Sequence, residues 1–306
     1  MSVKVELGFT ADAPGVTFFT LDDPVKGVLD NTEYLLGGGE VFRDVSEFLI
    51  SYSTSRGKSR ELGRYDAGQA SVNFENTTRA FDPTFEASPY FGQIVPRRQI
   101  RISVDDEVQY LGIVQDWNIA YNPGGQSIAT AQALDSFSFL SGLDLEADTY
   151  GEELSSARIN RVLNEIGWAS GDRDIATGKA TLEESEVTDT TNALQYLQLA
   201  ARSEPADFFI SKQGDVTLLP RNIPFTTGGL LFSETGGIPY KTISVIYGSE
   251  LLFNRVTTSA TVGEVTESDL TSISTYGERD LSEQTLLSST GQLRDLADFL
   301  VTQYSE

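Results

Sequence analysis

The chain has 306 residues, enough for roughly two or three domains. It contains no cysteine and no histidine, so disulfide bonds, thiol nucleophiles, Cys/His zinc sites and Ser-His-Asp triads are excluded. Its 45 acidic and 22 basic residues give a net charge of −23, which argues against a general nucleic-acid binder and against binding to anionic membranes.

The N-terminal segment lacks the apolar core of a signal peptide. No apolar run approaches the ~20 residues that are needed to span a bilayer, so no membrane insertion is expected. The absence of cysteine is consistent with synthesis in a reducing cytosol. We therefore expect a soluble protein or a subunit of a larger assembly.

Residues 1–40 predict an N-terminal arm with turns. Val3, Val5 and Leu7 alternate with polar residues, as in a strand with one apolar face. Two interpretations remain open: the strand completes the neighbouring β-module, or the arm pairs with the sheet edge of another subunit. The acidic residues of the turn-rich part are candidate assembly contacts: Asp22, Asp23 and Asp30.

Residues 41–140 predict a first β-barrel module. Their apolar runs are short, alternate with polar residues and end at Gly, Pro, Asn or Asp, as in a compact antiparallel barrel or sandwich. Val72 and Phe74 share one face of a strand, and Ile100 and Ile102 repeat the pattern. Such a face must be covered by other strands or by a helix, so these strands need a common core.

A cluster of basic residues stands out within this module of an acidic protein. Its members are Arg56, Lys58, Arg60 and Arg64. The cluster is either a docking site for an acidic neighbour or for nucleic acid, or a solvated hairpin tip. Nucleic acid is the least favoured of these, because only Tyr65 offers a stacking face nearby. We name the four residues as candidate assembly contacts.

Residues 141–205 predict a helical insertion. Ser155 or Ser156 can cap a helix that ends at Gly167, a residue suited to a left-handed stop. The apolar positions of that helix recur at helical spacing: Ile159, Val162, Leu163 and Ile166. A second helix is predicted from about residue 189 to residue 202.

Two acidic clusters in this insertion are candidate metal sites. Asp144, Glu146 and Asp148 alternate as calcium ligands do, but position six lacks Gly and position twelve is Ser155, so the EF-hand pattern fails. A shorter pair follows: Asp172 and Asp174. We interpret both clusters as solvated acidic surface and predict no metal, no cofactor and no catalytic residue.

Residues 206–290 predict a second β-module. Strands at 207–211 and 216–220 form a hairpin, and further strands are expected at 241–247, 253–260 and 272–277. The last segment, 291–306, is a C-terminal helix that begins near residue 290. Its apolar residues form one stripe: Leu293, Leu296, Ala297, Leu300, Val301 and Tyr304. The predicted fold class is therefore mainly β with α insertions (α+β): two small β-barrel-like modules and a helical insertion.

Several motifs resemble the minor tail proteins of long-tailed phages that infect actinobacteria. They are the segment from Leu21 to Asp30, the turn from Arg56 to Arg60, Ala67-Gly68-x-Ala70-x-Val72, and Phe81-Asp82-Pro83 followed by Ser88-Pro89-Tyr90. The second half is similar to the wider baseplate-hub group of tailed phages and contractile machines. Its motifs are Glu204-x4-Phe209-x4-Gly214-x-Val216, Asn254-Arg255-Val256 and Ser272-Ile273-x2-Tyr276-Gly277.

The resemblance implies two similar β-barrels per subunit and a ring of three subunits, whose six barrels match a sixfold tail tube to a threefold tip. It implies a structural, non-enzymatic virion protein of the tail tip, made in the host cytoplasm. Its partners would be further copies, the distal tail protein, the tape measure and the tip proteins. Hub proteins often continue past the final helix, and because this sequence ends at Glu306, no lytic or receptor-binding domain is expected.

Under this resemblance, genomic DNA would pass through the lumen of the ring. Acidic side chains lining the lumen would keep phosphate from adhering, whereas the alternative is that the acids give solubility before assembly.

Other functions remain open at this point. A distal tail protein that forms a sixfold ring belongs to the same class. A carbohydrate-binding module for the host surface would use Trp117 or Trp168 as a platform for a sugar ring. A hydrolase with paired carboxylates has the least support, because so acidic a sequence offers such pairs by chance.

Overall fold

The structure is a computed structural model in two compact units. Unit 1 comprises Met1–Gly142 with Phe209–Val216, and unit 2 comprises Leu143–Phe208 with Thr217–Glu306. The described residues are 2–9, 41–58, 60–220, 231–233, 235–244 and 248–306. The division of the chain into five predicted segments stays a prediction.

Unit 1 is built on a seven-stranded sheet with the strand order β2-β1-β5-β6-β7-β4-β3, and all of its neighbouring strands are antiparallel. A short helix follows the last strand. The elements are β1 (Val3–Phe9), β2 (Val41–Asp44), β3 (Leu49–Ser55), β4 (Gln69–Glu75), β5 (Gln99–Val104), β6 (Glu107–Ala120), β7 (Ile128–Leu134) and α1 (Phe137–Leu140).

Strand β6 holds the sheet together because it is 14 residues long and pairs with two partners in turn. Its first half pairs with β5 and its second half with β7, and the register shifts near Ile102 and between Val114 and Asp116. The alternating residues predicted from the sequence face the core: Val72, Phe74, Ile100 and Ile102 are all fully buried.

Strand β1 lies inside this sheet, where it pairs with both β2 and β5. Val5 lies opposite Ile102, and both Val5 and Leu7 are fully buried. For residues 3–9, the structure therefore shows the first of the two interpretations, in which the strand completes the neighbouring β-module. The rest of the predicted arm lies outside the described residues.

Unit 2 combines short strands with four helices among its described residues. Its sheets have the orders β10-β14-β13, β11-β9, β12-β8 and β16-β15-β17, except that Phe209–Val216, the tip of the β13–β14 hairpin, belongs to unit 1. The elements are β8 (Asp148–Tyr150), β9 (Glu153–Leu154), α2 (Ser155–Glu165), β10 (Arg173–Ile175), β11 (Thr181–Leu182), β12 (Ser185–Val187), α3 (Ala193–Arg202), β13 (Asp207–Ile210), β14 (Val216–Leu219), β15 (Arg255–Ala260), β16 (Gly263–Ser268), α4 (Leu270–Tyr276), β17 (Asp280–Gln284) and α5 (Thr290–Tyr304).

The three predicted helices are present. Helix α2 packs on α3, and α5 packs on β15 and β16. Gly167 follows α2 with a φ of +72°, as expected of a left-handed stop. Helix α3 begins later than predicted, because Asn192 caps it by accepting a hydrogen bond from the Gln195 N–H at 3.2 Å. The predicted apolar stripe of α5 is buried at five of its six positions, Leu293, Leu296, Ala297, Leu300 and Val301, and Tyr304 is half-buried.

Two local predictions are wrong. The predicted strand 272–277 is mostly helix α4, because Asp269 caps that helix by accepting from the N–H groups of Thr271 and Ser272. The predicted cap of α2 by Ser155 or Ser156 also fails, since both residues are helical and Leu154 occupies the cap position without a side-chain bond. In addition, residues 241–244, the described part of the predicted strand 241–247, do not form a β-strand.

The fold is mainly β with helices, as predicted. The described strands of unit 1 form an open order that ends at β2 and β3, so the barrel-like form of the modules is not confirmed. Across the same described ranges, no helix is both long enough and apolar enough to cross a membrane.

Candidate assembly surface

The predicted basic cluster lies in the connection between β3 and β4 of unit 1. Arg56, Arg60 and Arg64 are exposed. Lys58 is half-buried, and its Nζ lies 5.3 Å from the centre of the Tyr65 ring. The four basic residues thus occupy one surface loop, and their role as an assembly contact stays a prediction.

A clamp fixes the C-terminal end of this loop. The Gly68 N–H donates to Asp135 Oδ2 at 2.6 Å, and the Tyr110 hydroxyl donates to the Gly68 carbonyl at 3.2 Å. A Cβ at position 68 would lie 2.7 Å from Asp135 Oδ2 and 2.9 Å from Arg56 Cγ, so the close approach requires glycine. Burial raises the pKa of Asp135 to about 6, although backbone donors and Arg56 act in the opposite direction.

The tip of the β13–β14 hairpin also belongs to unit 1. The centre of the Phe209 ring lies 5.2 Å from that of Tyr65, at the end of the basic loop. Gly214 has a φ of +98°, and a Cβ there would lie 2.8 Å from Leu111 Cδ2. The spacing of Phe209 and Gly214 in the sequence motif therefore reflects the packing of the hairpin tip within unit 1.

The Phe81-Asp82-Pro83 motif follows β4 and closes one end of the core. The Phe81 ring stacks on Phe74 with 4.6 Å between centres. Burial would raise the pKa of Asp82, but hydrogen bonds from Thr84 and Arg79 outweigh it and hold that pKa well below its usual range. This motif therefore has a structural role, because its aromatic ring packs in the core and its carboxylate stabilises a turn.

Among the described residues, the sheets of both units end in edge strands. Strands β2 and β3 lie at the two ends of the seven-stranded sheet, and β16 and β17 flank β15 in unit 2. An edge strand presents backbone N–H and C=O groups to a neighbouring chain. Apolar residues are exposed nearby: Ile50 on β3 is 43% exposed, and Leu270 and Tyr276 on α4 are 77% and 58% exposed.

The other predicted assembly contacts, Asp22, Asp23 and Asp30, lie outside the described residues. The acidic clusters at Asp144 and Asp172 are exposed. Within the described ranges, no group of three or more acidic side chains gathers where it could hold a metal ion.

The two tryptophans are half-buried. Trp117 stacks on Phe81 with 6.0 Å between ring centres, and its Nε1 donates to the Val95 carbonyl at 3.3 Å. Trp168 Nε1 donates to the Asp172 carbonyl at 3.2 Å. Because Phe81 covers part of the Trp117 ring, this residue serves the core of unit 1, and the structure does not favour it as a sugar platform.

Two solved structures share the fold of this chain. The 43 kDa tail protein of prophage MuSo2 from Shewanella oneidensis is similar over 98% of this chain and 78% of its own, with a TM-score of 0.55 and 11% sequence identity. A tail protein from Neisseria meningitidis MC58 is similar over 83% of this chain and 77% of its own, with a TM-score of 0.54 and 11% identity. No family model matches the chain, and no curated protein sequence does. The chain has the fold of these two tail proteins.

The Asn-Arg-Val motif of the second half is also explained by the fold. Asn254 is fully buried; its side-chain NH₂ donates to Ser272 Oγ at 3.1 Å and to the Gly277 carbonyl at 2.8 Å, and its oxygen accepts from the Arg279 N–H at 2.8 Å. Arg255 points outward to Glu278. Asn254 therefore ties both ends of α4 to β15, a role that spacing along the sequence did not reveal.

Proposed function

We propose that this chain is a structural, non-enzymatic component of a phage tail tip: a baseplate hub that forms a ring between the tail tube and the distal tip. The observation that carries the proposal is the likeness of fold to the MuSo2 tail protein over 98% of this chain and 78% of that one. The ordered motifs that resemble tail proteins of phages infecting actinobacteria support the same assignment.

In this proposal three copies form the ring, each with two barrel-like modules. A closed ring needs two different surfaces that fit each other on successive copies. The edge strands β3 and β16 and the basic loop from Arg56 to Arg64 supply surfaces of this kind. The further partners are the distal tail protein, the tape measure and the tip proteins, and the protein is made in the host cytoplasm before it enters the virion.

The mass of the assembled ring tests the number of copies. We expect three copies per ring by native mass spectrometry, and rings in electron micrographs of the purified protein. Six copies would instead assign the chain as a distal tail protein with a sixfold ring. A lone monomer within the phage particle would contradict both assignments.

Charge reversal tests the basic loop as an assembly contact. Arg60→Glu should lower the fraction of protein in rings, because it places an acidic group where an acidic neighbour is expected to dock. Lys241→Glu is the matched control, since Lys241 is also exposed but lies in unit 2, far along the sequence. Equal ring formation by the two variants would remove the basic loop from the proposed interface.

The passage of DNA through the ring is a separate part of the proposal. Acidic side chains that face the lumen would repel phosphate and let the genome slide. A structure of the assembled ring tests this point directly, because a lumen lined by neutral or basic residues would contradict it and leave solubility as the role of the acidic excess.

A further inference from the structure

Strand β3 forms one edge of the seven-stranded sheet, and no described strand pairs with its outer side. Its residues, Leu49–Ser55, include no charged side chain and no proline. Every other edge strand of the described sheets with three or more strands carries at least one charged residue: β2, β10, β13, β16 and β17. Because natural proteins place charges or proline on an edge that must stay unpaired, the uncharged edge of β3 is suited to pair with a further strand.

The two ends of β3 differ in chemistry. Its C-terminal end runs into the basic loop, whose first residue, Arg56, is exposed. Near its N-terminal end, Ile50 is exposed. The pairing with β4 is regular from Ser51 onward, because the register shifts between Leu49 and Ser51. A strand that fits this edge would therefore carry an acidic group at one end and an apolar group at the other.

Strand β16 of unit 2, Gly263–Ser268, has these features. It forms an edge of its own sheet, and Glu264 is exposed near its N-terminal end. Beyond its C-terminal end comes Leu270, the exposed first residue of α4. If β16 runs antiparallel to β3, its acidic end meets Arg56 and its apolar end meets Ile50. The two edges are therefore complementary in one relative direction.

The side chains of the two strands also alternate between faces in compatible ways. On β3, Tyr52 packs against the core of unit 1, whereas the serines on either side of it are exposed. On β16, Val265 is half-buried and Thr266 is exposed. An antiparallel register with Ser53 opposite Thr266 keeps the exposed polar side chains on one face. Those side chains are Ser51, Ser53 and Ser55 of β3, and Glu264, Thr266 and Ser268 of β16.

We propose that β3 of one copy of this chain pairs with β16 of a second copy in an antiparallel ladder. Ser53 lies opposite Thr266, the Glu264 carboxylate lies beside the basic loop at Arg56, and Leu270 lies at the end of the ladder near Ile50. The inference rests on the proposed function, because it names the contact between successive copies of the ring. The contact joins two different surfaces, as a ring of more than two copies requires.

Cysteine crosslinking tests this contact, because the chain contains no cysteine of its own. In the double variant Ser53→Cys/Thr266→Cys, the two cysteines of neighbouring copies would lie opposite each other, with Cα atoms about 4.5–5.5 Å apart. This distance is within the range of a disulfide bond. Mild oxidation of the purified full chain should therefore link most copies into covalent multimers on a non-reducing gel, and a reductant should separate them.

Ser53→Cys/Ser282→Cys is the matched control. Ser282 is also exposed, but it lies on β17, the opposite edge strand of the same sheet as β16. The control should give only the small amount of covalent dimer that random collisions produce. Covalent multimers in equal yield from both double variants would show that the disulfide between positions 53 and 266 does not report a specific contact, and would overturn the proposal.

Charge reversal tests the end of the ladder at Arg56. Glu264→Lys should raise about tenfold the protein concentration at which rings form, because like charges then face each other at every contact of the ring. Asp298→Lys is the matched control, since Asp298 is an exposed acid of α5 that lies outside the proposed ladder, and it should leave that concentration unchanged. Native mass spectrometry over a dilution series measures both variants.

The outcomes separate this contact from the ring itself. Rings that form without a disulfide between positions 53 and 266 would overturn the contact and leave the proposed ring in place. The absence of both the rings and the disulfide would contradict the ring as well. A disulfide formed within one chain would also overturn the contact between copies, and so would equal effects of Glu264→Lys and Asp298→Lys.

Discussion

The two units are stabilised in different ways. The core of unit 1 is a contiguous cluster of apolar and aromatic side chains on one sheet, including Phe74, Phe81 and Ile102. The centres of unit 2 include polar side chains with no exposure at all, among them Arg158 and Asn254. An apolar core tolerates changes that keep its volume, whereas a buried polar group needs each of its partners in place.

Arg158 illustrates the second kind of core. Its Nε donates to Glu153 Oε1 at 2.7 Å, and its two terminal nitrogens donate to two hydroxyls and two backbone carbonyls. The acceptors are Ser185 Oγ and Tyr196 Oη for Nη1, and the carbonyls of Gly151 and Glu183 for Nη2. One side chain thus joins helix α2, helix α3 and the β8–β12 pair.

The largest effect is expected from Arg158→Ala. Removing the guanidinium leaves Glu153 and several acceptors without their partner, which should cost about 3–5 kcal/mol of the free energy of unfolding of unit 2. Trp168 reports on this unit in a Trp117→Phe background, because the chain has one tryptophan in each unit. Denaturant unfolding followed by fluorescence measures the change.

Arg161→Ala is the matched control for this experiment. Arg161 binds the same Glu153 at 3.0 Å, but its side chain is 55% exposed. Its removal should cost much less than the removal of Arg158, because an exposed ion pair is screened by solvent. Equal losses of unfolding free energy in the two variants would show that the buried hydrogen bonds of Arg158 do not stabilise unit 2 more than an exposed ion pair does.

A smaller effect is expected from Asn254→Ala. The change leaves the Arg279 N–H and the Gly277 carbonyl without their bonds to this side chain, and should cost about 2 kcal/mol. Arg255→Ala tests the neighbouring residue of the same motif, whose exposed pair with Glu278 is worth less. A larger loss from Arg255→Ala would reverse the roles assigned within the motif.

These contrasts explain what the sequence could predict. In unit 1, the alternation around Val72 and Ile100 predicts strands and their buried faces, because one apolar face decides the structure. In unit 2, the stripe of α5 was equally readable. Helix α4 could not be predicted in this way, because its serines and threonines form helix poorly alone. The helix depends on a cap at Asp269 and on a hydrogen bond from Ser272 Oγ to the Ser305 carbonyl.

The candidate sites follow the same rule. The basic loop was visible because its residues are close in sequence, as Arg56 and Arg64 are. The contacts of Glu204 were not visible in the sequence. Its Oε2 accepts hydrogen bonds from the N–H groups of Lys179 and Ala180, which lie about two dozen residues earlier in the chain. The motif that contains Glu204 marked the position, but spacing alone could not reveal its partners.

Gly214→Ala tests the hairpin tip that belongs to unit 1. An alanine at position 214 would have to adopt a φ near +98° and would place its Cβ against Leu111. The substitution should therefore destabilise unit 1 by about 1–2 kcal/mol. Gly57→Ala is the control, because Gly57 has a φ of +108° with nothing within 4 Å of the added Cβ. Trp117 fluorescence in a Trp168→Phe background measures both, and a larger loss from Gly57→Ala would argue against the packing of the tip.

The smallest effect concerns pH, and it separates two buried carboxylates of unit 1. Asp135 has a pKa raised to about 6, so the folded unit binds more protons than the unfolded chain between about pH 4 and pH 6. Stability through this group therefore rises as pH falls, by about 1 kcal/mol from pH 7 to pH 5. Asp82 has a lowered pKa and acts in the opposite sense, but only at more acidic pH.

Asp135→Asn isolates this contribution, because an amide of the same shape does not titrate. The variant should lose about 1 kcal/mol of the difference in unfolding free energy between pH 5 and pH 7, measured by urea unfolding with Trp117 as the reporter. Asp82→Asn should keep that difference, since Asp82 stays ionised across the window. If the Asp135→Asn variant also keeps the difference in unfolding free energy between pH 5 and pH 7, the pKa of Asp135 is not raised. In that case the clamp at Gly68 holds the basic loop by its hydrogen bonds alone.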